Sequence, residues 1–196
     1  MDRIASYQVA AADKQPNDAQ AQYQAAMANS ALAEVATEVR DKAQARTASE
    51  MGMKYAERAL ALKASVAEYH RILGTLCGQA AGAMGGLGAL KYGRCALDEV
   101  NKAVEMDPKA PLNYLSRGIG NYYLPAAFGG GPELAVKDFE RAIELDARSA
   151  EAYLWLGVSL RKLSREADAR KALAKAVELN PARVWAKQQL EKTPAQ

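Results

Sequence analysis

The sequence predicts an all-α fold, a right-handed superhelical array of antiparallel helix pairs. Three segments of the chain end alike, and they begin at Ala103, Ala142 and Ala176. The first two starts lie 39 residues apart and the last two lie 34 residues apart, a period that is typical of stacked helical repeats. Apolar residues make up 49% of the chain, and many of them are alanines, which favour helices. These observations favour an α-solenoid over a single globular core.

The predicted array begins at about residue 18. Gln15 to Asp18 is typical of the entry to a helix, because an Asp side chain can cap free backbone N–H groups. We expect a flexible segment over 1–17 and a single helical domain over 18–192. The helix pairs of that domain span about residues 18–65, 66–109, 110–148 and 149–181, and a capping helix covers 182–192.

The second and third pairs carry extra residues between their helices, around 80–90 and 125–131. Near the first insertion, glycines recur every four residues from Gly74 to Gly86. On a helix they leave a thin face for close packing. Alternatively, glycine weakens the helix, which then ends early and leaves Gly85 to Gly88 as a mobile loop. Both interpretations stay open from the sequence alone.

The clearest helix pair spans Ala150 to Pro181. Its first helix has an apolar face with intervals of three and four residues, and its second helix has small residues where the two would meet. Pro181 ends the second helix because it cannot continue the helical hydrogen bonds. The residues at the main places of this pair are Tyr153, Leu156, Gly157, Leu160, Ala169, Leu173, Ala176 and Pro181.

Those eight residues fill all eight key places of the tetratricopeptide repeat (TPR), which the chain closely resembles. Two enlarged loops, Gly88 to Gly93 and Leu124 to Gly131, are similar to those of bacterial TPR proteins related to the regulator of microtubule dynamics family. The likeness covers roughly Ser49 to Lys192. It implies a non-enzymatic adaptor or binding protein, with no catalytic residue to carry over.

The resemblance also implies that the first helix of each pair lines a concave groove. The middle of this groove is apolar and aromatic and its ends are basic, which suits a peptide or helix with a hydrophobic centre and an acidic end. An opposite interpretation, that Tyr122 and Tyr123 only cover the enlarged loop, stays open. The predicted partner-binding residues are Arg71, Thr75, Leu112, Leu115, Ile119, Tyr122, Tyr123, Leu154, Val158, Arg161 and Lys162.

An alternative function is a small-molecule or lipid-binding accessory protein of the transporter-associated type. The extra residues at 80–90 and 125–131 would then wall off an apolar pocket inside the array. A nucleic-acid partner is not expected, since the net charge is only +3 and such proteins usually carry a concentrated basic face. The charge-free run from Ile72 to Leu90 holds six glycines, so we expect no membrane span.

The sequence predicts no catalytic, cofactor or metal site. His70 is the only histidine, and one His without an acidic or Cys cluster makes neither a metal site nor a nucleophile pair. Gly129 to Gly131 lack the Gly-Lys-Ser/Thr of a phosphate loop, so we expect a tight connection that tucks Phe128 under the repeat.

Cys77 and Cys95 fit neither a zinc spacing nor a dense disulfide framework. We expect two small buried residues, with pairing left open for an exported protein. Met1 to Arg3 is not followed by an apolar signal region. The sequence therefore leaves two compartments open, the cytoplasm, or the periplasm or exterior if a signal peptide has been removed. It does not indicate an oligomeric state.

Overall fold

The computed structural model describes residues 2–194, and within that range the regular structure is entirely helical. No strand occurs among these residues, which confirms the predicted fold class. A short 3-10 turn, Ala126–Phe128, separates two of the helices. The α-helices are α1 Asp2–Lys14, α2 Ala19–Glu38, α3 Lys42–Leu62, α4 Ala67–Met84, α5 Gly86–Met106, α6 Pro111–Tyr123, α7 Pro132–Leu145, α8 Ala150–Lys162, α9 Glu166–Leu179 and α10 Val184–Glu191.

The helices pack as hairpins of consecutive elements. α2 packs with α3, α4 with α5, α6 with α7 and α8 with α9, while α10 covers α9. Each hairpin lies within one of the predicted units. The contacts divide the chain into two compact units, Met1–Pro108 and Lys109–Gln196. The first unit holds α1 to α5 and the second holds α6 to α10, and a single domain over 18–192 stays a prediction.

The N-terminal segment forms helix α1, where the sequence analysis expects a flexible segment up to residue 17. Ala12 of this helix is fully buried. Gln22 of α2, also fully buried, donates its side-chain amide N–H groups to the carbonyl oxygens of Ala12 at 2.8 Å and Gln15 at 3.1 Å. These bonds satisfy carbonyls at the end of α1. The fully buried residues of α1 are the alanines Ala5 and Ala12, and Val9 is only partly buried against the same core. The apolar face of this helix is therefore made mostly of small side chains, which give a weak signal in the sequence.

The extra residues around 80–90 lengthen two helices and do not form a loop. α4 runs to Met84, Gly85 makes the turn with a φ of 67°, and α5 starts at Gly86. At Gly74 a Cβ atom would lie 2.7 Å from Cγ1 of Val100 and 2.9 Å from its backbone nitrogen. Glycine therefore lets α4 and α5 pack closely. The thin-face interpretation is correct at Gly74, and the mobile-loop interpretation is wrong.

A disulfide joins Cys77 of α4 to Cys95 of α5, with Cα atoms 6.0 Å apart. From the sequence we expect two small buried residues, with pairing open if the protein is exported. Cys77 is buried as expected, but the helical extension of α5 places Cys95 opposite it. Closing a loop of this size stabilises a fold by about 3 kcal/mol in the chain-entropy account. The crosslink therefore reinforces the α4–α5 hairpin of the first unit.

Two glycines set the packing within the hairpins of the second unit. A Cβ atom on Gly118 would lie 2.5 Å from the ring of Phe139, which is fully buried. A Cβ atom on Gly157 would lie 2.5 Å from Cγ of Leu173 and 3.0 Å from the carbonyl oxygen of Ala169. Both glycines occupy the small-residue place that the repeat pattern predicts, and each receives a large side chain from the second helix of its pair.

Candidate functional site

Four aromatic side chains cluster in the second unit and are called here the aromatic surface. They are Tyr122 and Tyr123 at the end of α6, Trp155 on α8 and Trp185 on α10. The ring centroids of Tyr122 and Tyr123 are 5.1 Å apart, those of Tyr122 and Trp155 are 5.6 Å apart, and those of the two tryptophans are 5.0 Å apart. Neighbouring rings meet edge to face, an arrangement that aromatic side chains favour.

The local sequence explains why the two tyrosines end a helix. Pro125 disfavours the helical conformation for the residue before it, and Leu124 is extended with a ψ of 126°. Helix α6 therefore stops at Tyr123. At the helix end both tyrosine rings meet Trp155 edge to face, with centroid distances of 5.6 Å for Tyr122 and 5.9 Å for Tyr123. Tyr123 nevertheless stays 66% exposed. The other three rings are half-buried, so the surface is supported from below and accessible from outside.

Lys162, the last residue of α8, places a positive charge beside these rings. Its Nζ lies 4.4 Å from the centroid of the Tyr122 ring and donates to the carbonyl oxygen of Tyr122 at 3.1 Å. A cation at this place suits the negative end of helix α6 and the face of the tyrosine ring. Among residues 2–194 no carboxylate forms an ion pair with Lys162, so its charge remains available to a partner.

Two protein-family profiles match parts of the chain. The profile described as regulator of microtubule dynamics protein 1-3 matches residues 3–124, more than half of the chain. The chain belongs to this family. A tetratricopeptide repeat profile matches residues 150–183. The resemblance predicted from the last repeat and the two loops is confirmed, and the family match begins well before Ser49.

Solved structures show that this family member has a TPR fold. A thermophilic TPR protein of Thermus thermophilus is 17% identical, with a TM-score of 0.71 over 96% of this chain and 88% of its own. MamA is 19% identical, with a TM-score of 0.56 over 78% of this chain and 81% of its own. PilF of Pseudomonas aeruginosa is 17% identical, with a TM-score of 0.56 over 88% of this chain and 68% of its own. Among curated proteins, no match is found.

Two predicted partner-binding residues of the family member, Arg71 and Thr75, lie on α4 in the first unit. The Arg71 side chain is only 8% exposed and its Nε donates to Oε2 of Glu68 at 2.7 Å. Tyr23 of α2 donates its hydroxyl to Oε1 of the same carboxylate, also at 2.7 Å. Arg71 is thus the buried member of a partly buried network within its unit. Thr75 is half-buried on the same helix.

The network shifts the pKa of its members. Burial works to raise the pKa of Glu68, but the hydrogen bonds and charge of Arg71 outweigh it and hold that pKa below its ordinary value. Burial and the hydrogen bond to Glu68 raise the pKa of Tyr23 above its ordinary range. Glu68 is therefore a carboxylate and Tyr23 a neutral phenol at neutral pH, which fixes the direction of both hydrogen bonds.

Three other predicted residues contribute to packing in the second unit. Leu154 and Val158 on α8 are 1% and 5% exposed and belong to its core. Arg161 donates to the carbonyl oxygen of Gln189 at 3.2 Å and to the hydroxyl of Thr193 at 3.3 Å. These bonds tie the chain at and beyond α10 to α8. The structure therefore places all three residues under the C-terminal cap.

Helix α6 carries the remaining predicted residues, Leu112, Leu115 and Ile119. Leu112 is 49% exposed and the other two are half-buried. The structure thus brings together Tyr122, Tyr123 and Lys162, and adds two rings that the repeat offsets do not predict. The sequence does single these two rings out in another way, because Trp155 and Trp185 are the only tryptophans of the chain.

The loop after α6 does not bury Phe128, which the sequence predicts to tuck under the repeat. Phe128 is 73% exposed and does not tuck under the repeat. Gly129 and Gly131 have φ values of 85° and 122°, and the Gly131 N–H donates to the carbonyl oxygen of Asn121 at 2.9 Å. A Cβ atom on Gly130 would lie 2.4 Å from the carbonyl oxygen of Leu124. These close contacts hold the loop against α6 and leave the phenylalanine outside.

A partly buried ion pair supports the base of this loop. Arg117, which takes the leucine place of the repeat, donates through Nη2 to Oδ1 of Asp138 at 2.6 Å. Asn121 donates to Oδ2 of the same carboxylate at 2.8 Å. The hydrogen bonds to Asp138 raise the pKa of Arg117. The departure from the repeat pattern is therefore compensated by Asp138 of α7.

The two extra segments differ in structure. Residues 80–90 continue two helices, and residues 125–129 are exposed. An open depression of about 350 Å³ lies elsewhere in the first unit and is lined by Asp13, Pro16, Arg58, Ala61 and Leu62. Within the described range, no cluster of three His, Cys, Asp or Glu side chains could hold a metal ion. No helix of residues 2–194 has the length and apolar character needed to cross a membrane.

Proposed function

We propose that this protein is a non-enzymatic interaction scaffold that binds a partner protein on the aromatic surface of its second unit. The observation that carries the proposal is the combination of clustered rings, a 66% exposed Tyr123 and the Lys162 ammonium at 4.4 Å from the Tyr122 ring, which pairs with no carboxylate of residues 2–194. Aromatic side chains that are supported by neighbours and still accessible supply much of the binding energy at protein interfaces. The TPR fold and family membership support this class of function.

The chemistry of the surface indicates the kind of segment it would bind. The rings offer apolar faces and edges, which suit an aliphatic, aromatic or proline side chain of the partner. Lys162 offers one cation at their border, which suits an Asp, a Glu or a terminal carboxylate and would mainly set orientation and association rate. The partner segment is therefore apolar at its centre and acidic at one end.

The test is affinity purification from the native host with three baits: wild type, Tyr123→Ala and Tyr7→Ala. Tyr7 is a matched control, because it is a tyrosine of α1 that is 71% exposed and lies outside the aromatic surface. We expect partner proteins that are retained by wild type and Tyr7→Ala and lost with Tyr123→Ala. Each enriched partner is then titrated in purified form, where Tyr123→Ala should weaken binding about tenfold or more.

Equal retention by all three baits would contradict the proposal, and so would the absence of any partner above background. Circular dichroism spectra and unfolding curves of the variants establish that the helices are intact. The exposed side chain of Tyr123 can be removed without opening the core, so a loss of binding would report on the contact itself.

A further inference from the structure

Helix α5 of the first unit presents an unpartnered face near its start. Leu87, Leu90, Lys91 and Arg94 follow one another with intervals of three, one and three residues and therefore lie on one side of the helix. Leu87 is 74% exposed and Leu90 is 86% exposed. The Arg94 side chain is 93% exposed, and Lys91 is exposed as well. We call these residues the leucine–basic stripe.

The opposite side of α5 fixes the direction of this stripe. Gly88 is buried against α4, where a Cβ atom would lie 2.5 Å from the carbonyl oxygen of Ala81. The buried Tyr92 donates its hydroxyl to Oε1 of Glu50 on α3 at 2.8 Å, and Cys95 is bonded to α4 through the disulfide. The helix is thus held by two neighbouring helices, and the leucines face solvent because the other side is already occupied.

The charge beside the leucines is positive. No acidic residue occurs between Glu68 and Asp98 in the sequence. Arg94 pairs with Asp98 at 3.3 Å, but both side chains are largely exposed, at 93% and 64%. An exposed ion pair of this kind is weak and is readily exchanged for another carboxylate. The Lys91 ammonium lies 4.7 Å from the centroid of the Tyr92 ring and its charge acts on Glu50 of α3, while the Lys91 side chain stays exposed. The stripe therefore combines an apolar strip with two exposed cations that can pair with a new acidic partner.

We propose that the leucine–basic stripe docks an amphipathic segment of a second protein partner, apolar on one side and carrying Asp or Glu beside it. The proposal is independent of the aromatic surface, which lies in the other unit. Single exposed leucines are ordinary, whereas two exposed leucines one turn apart, with cations on the same helix face, form a patch that suits the apolar face of an amphipathic ligand. An anionic membrane is a poorer match, because two leucines bury less apolar area than a single acyl chain, which itself binds only marginally.

The probe is a synthetic labelled peptide of about four helical turns, with leucines at every third or fourth place and glutamates beside them. Its binding to the full chain is measured by fluorescence anisotropy, and its footprint by amide chemical-shift changes. A second peptide with lysine at the glutamate places tests the charge, and vesicles with equal parts of phosphatidylglycerol and phosphatidylcholine test the membrane. The variants are Leu87→Ser/Leu90→Ser and Lys91→Glu/Arg94→Glu.

A matched control is Leu62→Ser, since Leu62 is a 43% exposed leucine of α3 in the same unit. We expect the acidic peptide to shift the amides of α5 between about residues 86 and 95. The double serine variant should weaken its binding about tenfold or more, the charge-reversed variant should weaken it in a salt-dependent way, and Leu62→Ser and Tyr123→Ala should leave it unchanged.

Four outcomes would overturn the inference. They are no binding of the acidic peptide to wild type, equal binding of the lysine peptide, equal binding by the double serine variant, and binding of vesicles in place of the peptide. A negative result for the leucine–basic stripe does not bear on the proposed function of the aromatic surface, because Tyr123→Ala tests that surface separately. Leu87 and Leu90 are exposed, so their replacement by serine keeps the helices folded and leaves every outcome interpretable.

Discussion

The ammonium of Lys162 sits 4.4 Å from the centroid of the Tyr122 ring and donates to the carbonyl oxygen of the same residue at 3.1 Å. One side chain thus caps helix α6, holds a ring of the aromatic surface and supplies the charge beside it. Lys162→Met keeps most of the packing and removes the charge. We expect it to leave stability within about 1 kcal/mol and to reduce the salt dependence of partner binding, as measured by titration at low and high ionic strength. Unchanged salt dependence would exclude Lys162 from the contact.

Gly157→Leu should destabilise the second unit. Even the Cβ atom of a new side chain would lie 2.5 Å from Cγ of Leu173, so the larger residue must displace that buried leucine. Overpacking of this kind costs about 1–3 kcal/mol, measurable by urea unfolding. Gly120→Ala is the control, because its Cβ atom meets nothing within 4 Å, and alanine favours the helix. A stable Gly157→Leu protein would mean that this glycine does not face Leu173.

Reduction of the disulfide should lower the free energy of unfolding by about 3 kcal/mol. The effect is measured as the difference in urea midpoint with and without dithiothreitol. Cys95→Ala provides the control, because it lacks the crosslink. Its urea midpoint should be the same with and without dithiothreitol. If wild type is equally stable with and without the reductant, Cys77 and Cys95 do not form the bond in solution.

The contribution of Glu68 to stability should depend on pH. Its pKa is held below the ordinary value of 4.5 in the folded protein, so the folded state binds this proton less readily than the unfolded state does. The contribution is therefore fully present above the unfolded pKa and is lost as the pH falls through the folded pKa. The stability difference between wild type and Glu68→Gln should be larger at about pH 6 than at about pH 3. A difference that is constant over this range would contradict the Glu68–Arg71 ion pair.

Phe128→Ser should leave stability unchanged within about 0.5 kcal/mol, as expected for an exposed residue. Gly130→Ala should destabilise the same loop, because its Cβ atom would lie 2.4 Å from the carbonyl oxygen of Leu124. The melting temperatures of the two variants test this difference: that of Gly130→Ala should be lower than that of wild type, and that of Phe128→Ser should not. A large loss of stability in Phe128→Ser would show that the ring packs under the repeat, as the sequence analysis expects.

The helix pairs are predictable from sequence because each rests on local signals. Small residues such as Gly157 recur where helices meet, and prolines such as Pro181 stop them. Helix α1 and the disulfide are not predictable in this way. The first buries alanines such as Ala12, and the second depends on where the extension of α5 places Cys95.

The candidate site is only partly predictable for a related reason. Repeat offsets state which side of a helix a residue occupies, and they do not state what covers that side. Leu154 is covered within its own unit, and Arg161 is engaged by the chain around Gln189. The exposure of Phe128 depends on the left-handed turn at Gly129, which a pattern of apolar residues does not report.

The two tryptophans allow the most direct test of partner binding on the aromatic surface. Trp155 and Trp185 are the only tryptophans of the chain, and both belong to that surface. Labelled with 5-fluorotryptophan, the protein should give two fluorine resonances in the NMR spectrum. Addition of an unlabelled partner from the affinity purification should shift both resonances until saturation, and Tyr123→Ala should require more partner for the same shift. A partner that binds while both resonances stay in place would contradict the proposal.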